Sequence, residues 1–382
     1  MMHIKNEMIL HIANGYADSA IYKNLVQELD KLDLQQIVYT PQRTTGKIGA
    51  NKIDFQHYGS ELIYSSILNW HIDRVFYPFK IFKILKDIQT KVDFNHITCM
   101  HAHTWYSDGG VAYFLSKKYN IPFVVSIRST DLNLFQKKLV YLQPFGRSIL
   151  NSARKVILIS ASYKEKLLNQ SSLKKMKIPL RDKISVIPNG VDFFWIKNTS
   201  VKPKEKVVEV YNILYLGSFI SLKKVLDLQQ AVIELNGEQS KKIMLHLVGG
   251  GGKDEAEVLK LVEKHAELFV YHGRVYDKAA MQCIFKNCDV FAMPSRNETF
   301  GLVYIEALLQ GLPILYTEGE GVDGYYKERI GERIGTHSVK EIKEKLRTMV
   351  DNLGQYSIPL EKIKRNHDWA LIAREYRSIY KG

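Results

Sequence analysis

The sequence predicts an α/β protein built from two Rossmann-like, doubly wound domains that face a central cleft. Three observations predict it. The chain has 382 residues, against roughly 100–200 for a typical domain. Short apolar runs alternate with helical patterns from one end to the other, the signature of parallel βα units. A polar, charged, proline-containing stretch, Lys197 to Lys206, lies near the middle and reads as a linker. Ligands of such domains bind at the carboxyl ends of parallel strands, so the cleft is expected to hold the site.

The first domain, residues 1–192, opens on a strand at Met8–Ala13 and a turn at Asn14-Gly15. Ser19 to Leu32 carries apolar residues at Ile21, Leu25, Leu29 and Leu32, which is helical spacing. Strands follow at Gln36–Tyr39, Ile97–His101, Phe123–Ile127, Val156–Ile159 and Ile184–Ile187, with helices such as Gly110–Tyr119 between them. The second domain, residues 193–367, repeats the pattern. Its strands are expected at Tyr211–Leu216, Ile243–Val248, Leu268–Tyr271, Asp289–Met293 and Pro313–Tyr316. The C-terminal helix, 368–382, is expected to pack back on the first domain. No residue-level repeat links the two halves.

Composition excludes several classes. Three cysteines without a CxxC argue against a disulfide framework or a zinc ribbon. No apolar run reaches the ~20 residues of a membrane span, and the N-terminus lacks a signal-peptide pattern, so a cytoplasmic protein is expected. The net charge of +14 is uneven. Residues 1–190 hold 26 Lys/Arg and 14 Asp/Glu, 26 − 14 = +12, and the remainder 28 and 26, 28 − 26 = +2. One half should therefore meet a polyanion: nucleic acid, an anionic membrane or a phosphorylated acceptor.

The strongest chemical signal runs from Pro294 to Ala307. It follows a strand and predicts a helix over Thr299–Gln310, ended by Gly311 and Pro313. The amides of Phe300, Gly301 and Leu302 would form an anion site at its start. Glu298 and Glu306 are eight residues apart, roughly 12 Å along one helix. They are too distant to share a proton and suited to the two ends of one long ligand. Taken singly, Glu298 reads as a capping acid and Glu306 as a solvated helix residue; the whole segment outweighs that reading.

This segment resembles the E-x7-E signature of glycosyltransferase family 4, the retaining enzymes of GT-B fold. The resemblance extends along most of the chain. Ile187-Pro188-Asn189-Gly190-Val191-Asp192 is similar to the family's domain junction. Leu214-Tyr215-Leu216-Gly217-Ser218, followed by Lys223, resembles its first C-domain strand and phosphate loop. Leu247-Val248-Gly249 and Val270 to Val275 resemble the next two strand ends, and Gly319–Gly324 a later glycine-rich turn. The resemblance implies a nucleotide-sugar donor, UDP- or GDP-linked, and a glycan or lipid-pyrophosphate acceptor of cell-surface polysaccharide synthesis. Glu298 would hold the donor sugar, Glu306 the ribose, Lys223 the diphosphate, and the turn at Arg274-Val275 the base. Gly15, Gly217, Ser218, Gly249 and Thr299 to Leu302 would line the donor. Family members usually carry Arg where Ser218 stands, so Lys224 or a cation from the first domain is expected to substitute. No metal and no cofactor are expected.

In the first half, His101 and His103 point to one face if their strand persists, but no third metal ligand is apparent. The resemblance places His103 near the acceptor side, with a structural histidine as the competing reading. Arg128 stands where the family often has His and would face phosphate. Asp131 would accept from an acceptor hydroxyl or cap the next helix. Arg74 to Lys91 interleaves Phe76, Phe79 and Phe82 with Lys80, Lys83 and Lys86, a basic amphipathic pattern suited to an anionic membrane surface or to ordinary inward packing. Gly249–Lys253 fails as a P-loop. The rivals are a GT-B-like epimerase or phosphorylase and a basic nucleic-acid-binding protein. The last lacks any helix-turn-helix, zinc or RNA-binding signature, so nucleic acid is not expected as a partner.

Overall fold

The protein is described from a computed structural model, over residues 7–69, 73, 76–201, 210–238 and 241–382. Two compact units divide the chain. One comprises residues up to Ile159, Tyr163–Asn189 and Trp369–Gly382; the other comprises Ser160–Ser162 and Gly190–Asp368. Of the expected linker, Lys197 ends a short helix and residues 202–206 lie outside the described residues, as does Arg74.

The first unit runs β1 (Met8–Ile12), α1 (Ala20–Asp30), β2 (Gln35–Pro41), β3 (Glu61–Ser65), α2 (Tyr77–Lys91), β4 (Ile97–Ala102), α3 (Ser107–Tyr119), β5 (Phe123–Ile127), α4 (Gln143–Ser152), β6 (Lys155–Leu158), α5 (Ala161–Leu168), α6 (Lys177–Lys183) and β7 (Ile184–Val186). The strands form one parallel sheet in the order β3-β2-β1-β4-β5-β6-β7. Every residue of β5 is buried, as a parallel strand covered on both faces requires.

Successive residues of a strand face opposite sides, and this sorts the core. Met100 and Ala102 of β4 join Tyr77, Ile81, Ile84 and Ile88 of α2 on one face. Their spacing of four, three and four gives α2 a single apolar stripe, and Pro78 sits in its first turn. On the other face Ile9, Cys99, Val124 and Ile157 pack against Leu25 and Leu29 of α1.

The second unit runs α7 (Phe193–Lys197), β8 (Val210–Gly217), α8 (Val225–Glu238), β9 (Lys242–Gly249), α9 (Glu255–Lys264), β10 (Phe269–Tyr271), α10 (Lys278–Asn287), β11 (Val290–Ala292), α11 (Leu302–Leu309), β12 (Ile314–Thr317), β13 (Gly331–Ile334), α12 (Val339–Asp351) and α13 (Leu360–Asn366). Its parallel sheet has the order β10-β9-β8-β11-β12-β13. The chain then returns to the first unit as α14 (Trp369–Lys381). There Trp369, Ile372, Tyr376 and Tyr380 complete the core beside α1. The Arg154 guanidinium donates to the carbonyls of Ile379 and Tyr380, both at 2.6 Å, and so caps the end of α14. No described helix is long and apolar enough to cross a membrane.

Two strands escaped the sequence reading, and both are at sheet edges: β3 and β13. The helix expected from Thr299 begins only at Leu302. Gly301 precedes it with φ 73°, and a Cβ there would lie 2.5 Å from the Tyr304 ring. The chain turns sharply at Gly301 before it can coil, which leaves Glu298 in a loop rather than on the helix.

Candidate active site

In the second unit β8 and β9 end together, with Gly217 paired to Gly249. Gly249 has φ 132°, and a Cβ there would lie 1.9 Å from the Gly217 carbonyl oxygen. Only glycine permits that approach. Beyond these strand ends the Phe219 N–H donates to the Gly251 carbonyl at 2.8 Å, and the Gly251 N–H to Glu255 Oε1 at 2.7 Å. These bonds hold open a cavity of about 370 Å³ lined by Gly217, Ser218, Gly249, Gly250, Arg274 and Val275, with Tyr276 at its edge. Five residues expected at the donor thus share one cavity, and Tyr276, exposed beside it, went unnoticed in the sequence.

Lys223 ends a short 3-10 turn after β8. Its Nζ donates to Glu298 Oε2 at 2.5 Å. The two segments are also joined through the backbone, where Arg296 N–H donates to the Leu222 carbonyl at 2.7 Å. Glu298 is fixed further: its N–H donates to Glu320 Oε2 at 2.8 Å, and its carbonyl accepts from Gly321 at 3.1 Å. The glycine-rich turn 319–324 therefore supports the loop that carries Glu298. Phe300, Gly301 and Leu302 have no hydrogen bond to their backbone N–H groups among the described residues, so the helix start keeps its donors. Thr299 lies between them and Glu298. Lys224, offered in place of the cation missing at Ser218, instead pairs with both oxygens of Asp227, at 3.1 and 3.2 Å.

Glu306 lies on α11, apart from this cluster. Burial pushes its carboxyl up to about 7, and Asp192 adds to the shift. Lys278 and a hydrogen bond with Trp195 oppose it. Lys278 itself pairs with Asp192 at 2.5 Å.

In the first unit, loops at the ends of β1, β4 and β5 meet. The Asp131 carboxylate accepts from the N–H groups of Trp105 (3.0 Å), Tyr106 (3.1 Å) and Arg128 (2.9 Å). It is buried and spent on the backbone, so it locks the β4 and β5 loops together. Of the two expected roles, an acceptor hydroxyl contact or a local cap, the bonds present are of the second kind, to backbone N–H groups. Arg128 Nε donates to the His103 carbonyl at 3.3 Å, and its guanidinium lies over the Tyr22 ring. The Tyr22 hydroxyl lies close to Gly15.

His103 is buried as well. Its Nε2 is 3.0 Å from Nδ1 of His11, a residue the sequence reading passed over. With His101 they form a trio whose nitrogens lie within 4.8 Å of one another. His101 bonds Ser126 Oγ through Nε2 (2.9 Å) and the Tyr380 hydroxyl through Nδ1 (2.7 Å), while His11 Nε2 and His103 Nδ1 are buried without a hydrogen-bond partner among the described residues. Burial and the Arg128 charge lower the affinity of His101 and His103 for protons. The trio is a neutral hydrogen-bonded network joining sheet to α14. Strand order held the missing signal: β1 and β4 are neighbours, and His11 pairs with His101 in register.

Comparison with known proteins gives the family. Residues 21–193 match the family described as Glycosyltransferase Family 4, and residues 197–367 match Glycosyl transferases group 1. The chain belongs to the GT4-type glycosyltransferases of GT-B fold and is an enzyme of that class. An uncharacterized glycosyltransferase of Methanocaldococcus jannaschii is 24% identical, over 80% of each chain. The capsular polysaccharide biosynthesis glycosyltransferase CapM of Staphylococcus aureus is 25% identical, over 64% of each. Among solved structures, the lipopolysaccharide outer core galactosyltransferase WaaB superposes with a TM-score of 0.70 at 15% identity, covering 98% of each chain.

Proposed function

We propose that this glycosyltransferase moves a sugar from a UDP- or GDP-linked donor, with retention of anomeric configuration, onto a glycan or lipid-pyrophosphate-linked acceptor. The setting is cell-surface polysaccharide synthesis at the inner face of the cytoplasmic membrane. The observation that carries the reading is the glycine-walled cavity at the ends of β8 and β9 beside Lys223 and Glu298. CapM and WaaB, named for capsule and lipopolysaccharide work, support the setting.

Breaking the bond from anomeric carbon to diphosphate leaves negative charge on the leaving group. Lys223 and the N–H groups at the start of α11 supply fixed positive charge and donors for it. That assignment requires Lys223 to leave Glu298 as the diphosphate arrives. Glu298 then has a carboxylate for the hydroxyls of the sugar, so one exchange of partners sets both ends of the donor. Arg274 and Tyr276 frame the space for the base, and Glu306 accepts from the ribose. In the first unit Arg128, beside His103, offers the cation for an acidic acceptor. Because lysine and amides supply the positive charge, transfer proceeds without a divalent ion.

Glu298→Gln should lower turnover by roughly 10²–10³, the loss of one well-placed transition-state contact, while a thermal shift with UDP or GDP persists. Lys223→Met should lose both. Wild-type turnover in Glu298→Gln, or complete loss of transfer in chelator restored by Mn²⁺, would overturn the assignment.

A further inference from the structure

We propose that the base subsite of the second unit selects guanine, so that the donor is a GDP-linked sugar. The inference rests on the nucleotide-sugar reading above and decides between its two bases. Its starting point is Gly250, one residue beyond the end of β9. A Cβ there would lie 2.8 Å from Glu255 Oε1, 3.3 Å from Arg274 Nε and 3.3 Å from the Tyr271 hydroxyl. A carboxylate, a guanidinium and a phenol thus converge on one point of backbone that carries no side chain. A Cβ on Gly251 would likewise lie 2.6 Å from Nη2 of Arg274. Gly250 and Gly251 have φ of 144° and 76°, and glycine alone leaves this ground open.

Opposite charges this close ordinarily pair, and these two do not. Arg274 makes no hydrogen bond or ion pair among the described residues. Glu255 Oε1 accepts from the Gly251 N–H at 2.7 Å, while Oε2 has no partner among the described residues. The Tyr271 hydroxyl is satisfied, donating to the Gly249 carbonyl at 3.2 Å. Arg274 and Gly250 both line the cavity of about 370 Å³ at the strand ends. That cavity therefore offers an uncommitted fork of donors and, a few ångströms away, a carboxylate held in place by the backbone. Tyr276, 84% exposed at its edge, presents a ring face on which a base can stack.

Guanine carries two acceptors side by side, O6 and N7, which match the parallel N–H groups of a guanidinium. Beside O6 stand two donors, N1–H and the 2-amino group, which match a carboxylate. One guanine thus satisfies Arg274 and Glu255 together, and the separation that keeps the two charges from pairing is the space a base edge fills. Uracil offers O4 and N3–H to the same pair, one bond each, and turns the O2 lone pairs toward the second carboxylate oxygen. Adenine sets its amino group against the cation and the N1 lone pair against the carboxylate. Hypoxanthine keeps O6, N7 and N1–H and lacks only the 2-amino group, so it isolates what Glu255 contributes.

The test titrates the full chain with GDP, IDP, UDP and ADP in a calorimeter. Each hydrogen bond to a charged group that a base cannot make lowers affinity about tenfold or more. Wild type should therefore bind GDP about tenfold more tightly than IDP and about a hundredfold more tightly than UDP or ADP. Glu255→Gln should erase the preference for GDP over IDP, and Arg274→Leu should bring GDP and UDP within about threefold of each other. Wild type that binds UDP or ADP as tightly as GDP overturns the proposal and leaves the nucleotide reading standing. Equal affinity of wild type for GDP and IDP overturns it too, as does a preference for GDP over UDP that survives Arg274→Leu unchanged. The wild-type titrations decide by themselves should a variant fail to fold. Absence of binding by all four nucleotides overturns the nucleotide reading itself, and guanine selection with it.

Discussion

Glu306 offers a test in which the sign of a pH effect is fixed by the structure. Its carboxyl sits near 7 in the folded protein against an ordinary 4.5, with burial as the main cause and Asp192 as the second. A folded-state pKa raised above the unfolded one means that the native protein prefers the protonated acid. The contribution is fully favourable below about 4.5 and is lost as pH rises through 7. At pH 8 the unfolded group is ionised and the folded group must ionise at a cost. The 2.5-unit difference (7 − 4.5) corresponds to a ceiling of about 3 kcal/mol at about 1.36 kcal/mol per unit. Glu306 retains partial solvent access, which brings the expectation to about 1–3 kcal/mol. Glu306→Gln keeps the shape and removes the charge. Its melting temperature should match wild type near pH 5 and exceed it by roughly 3–10 °C at pH 8, given about 2–4 °C per kcal/mol for a unit of this size. Thermal unfolding at half-unit pH steps measures the crossing. The same group, if it accepts from ribose hydroxyls, must be ionised to do so, and nucleotide affinity of wild type should rise through pH 7. A Gln variant whose stability runs parallel to wild type from pH 5 to 8 would refute the buried-acid argument.

Two other perturbations follow from geometry. Gly249→Ala places a methyl 1.9 Å from the Gly217 carbonyl oxygen on a backbone with φ 132°; about 3 kcal/mol of stability and the nucleotide thermal shift should disappear together, and a retained shift would show that the strand ends can part without harm. Tyr380→Phe removes the hydroxyl on His101 Nδ1, which should cost about 1–3 kcal/mol and raise amide exchange across α14 selectively, an effect that uniform exchange would contradict.

The interior of both sheets was legible because buried parallel strands are continuous apolar runs, as in Phe123–Ile127. The edges were not. β3 is Glu-Leu-Ile-Tyr-Ser and only half covered. β13 is Gly-Glu-Arg-Ile, and it packs because Glu332 is neutralised by Arg329, Lys345 and the Tyr356 hydroxyl. Such partners come from distant positions and leave no local pattern. Site residues divide along the same line. The glycines and Lys223 sit where consecutive residues dictate a loop, so motif order located them. The backbone partners of Asp131 and the burial of Lys80 were not legible because they lie in what the two side chains touch. A carboxylate four residues after a strand looks alike whether it faces solvent or three backbone amides, and a lysine on a basic helix looks alike whether it meets solvent or Ser107. His11 needed the strand order before it could be connected with His101.

The return of α14 to the first unit has a consequence for how the chain is made. Between Asn189 and Trp369 lie 368 − 189 = 179 residues, which at roughly 5–20 residues per second take roughly 10–35 s to synthesise. Throughout that interval the first sheet is present without the helix that seals one of its faces. Ile9, Cys99, Val124 and Ile157, together with the histidine trio, wait half-clothed while the second unit is synthesised. Contacts this remote in sequence are slow to form. The first unit to leave the ribosome is thus the last to be finished, and during that wait its uncovered face depends on chaperones or on speed.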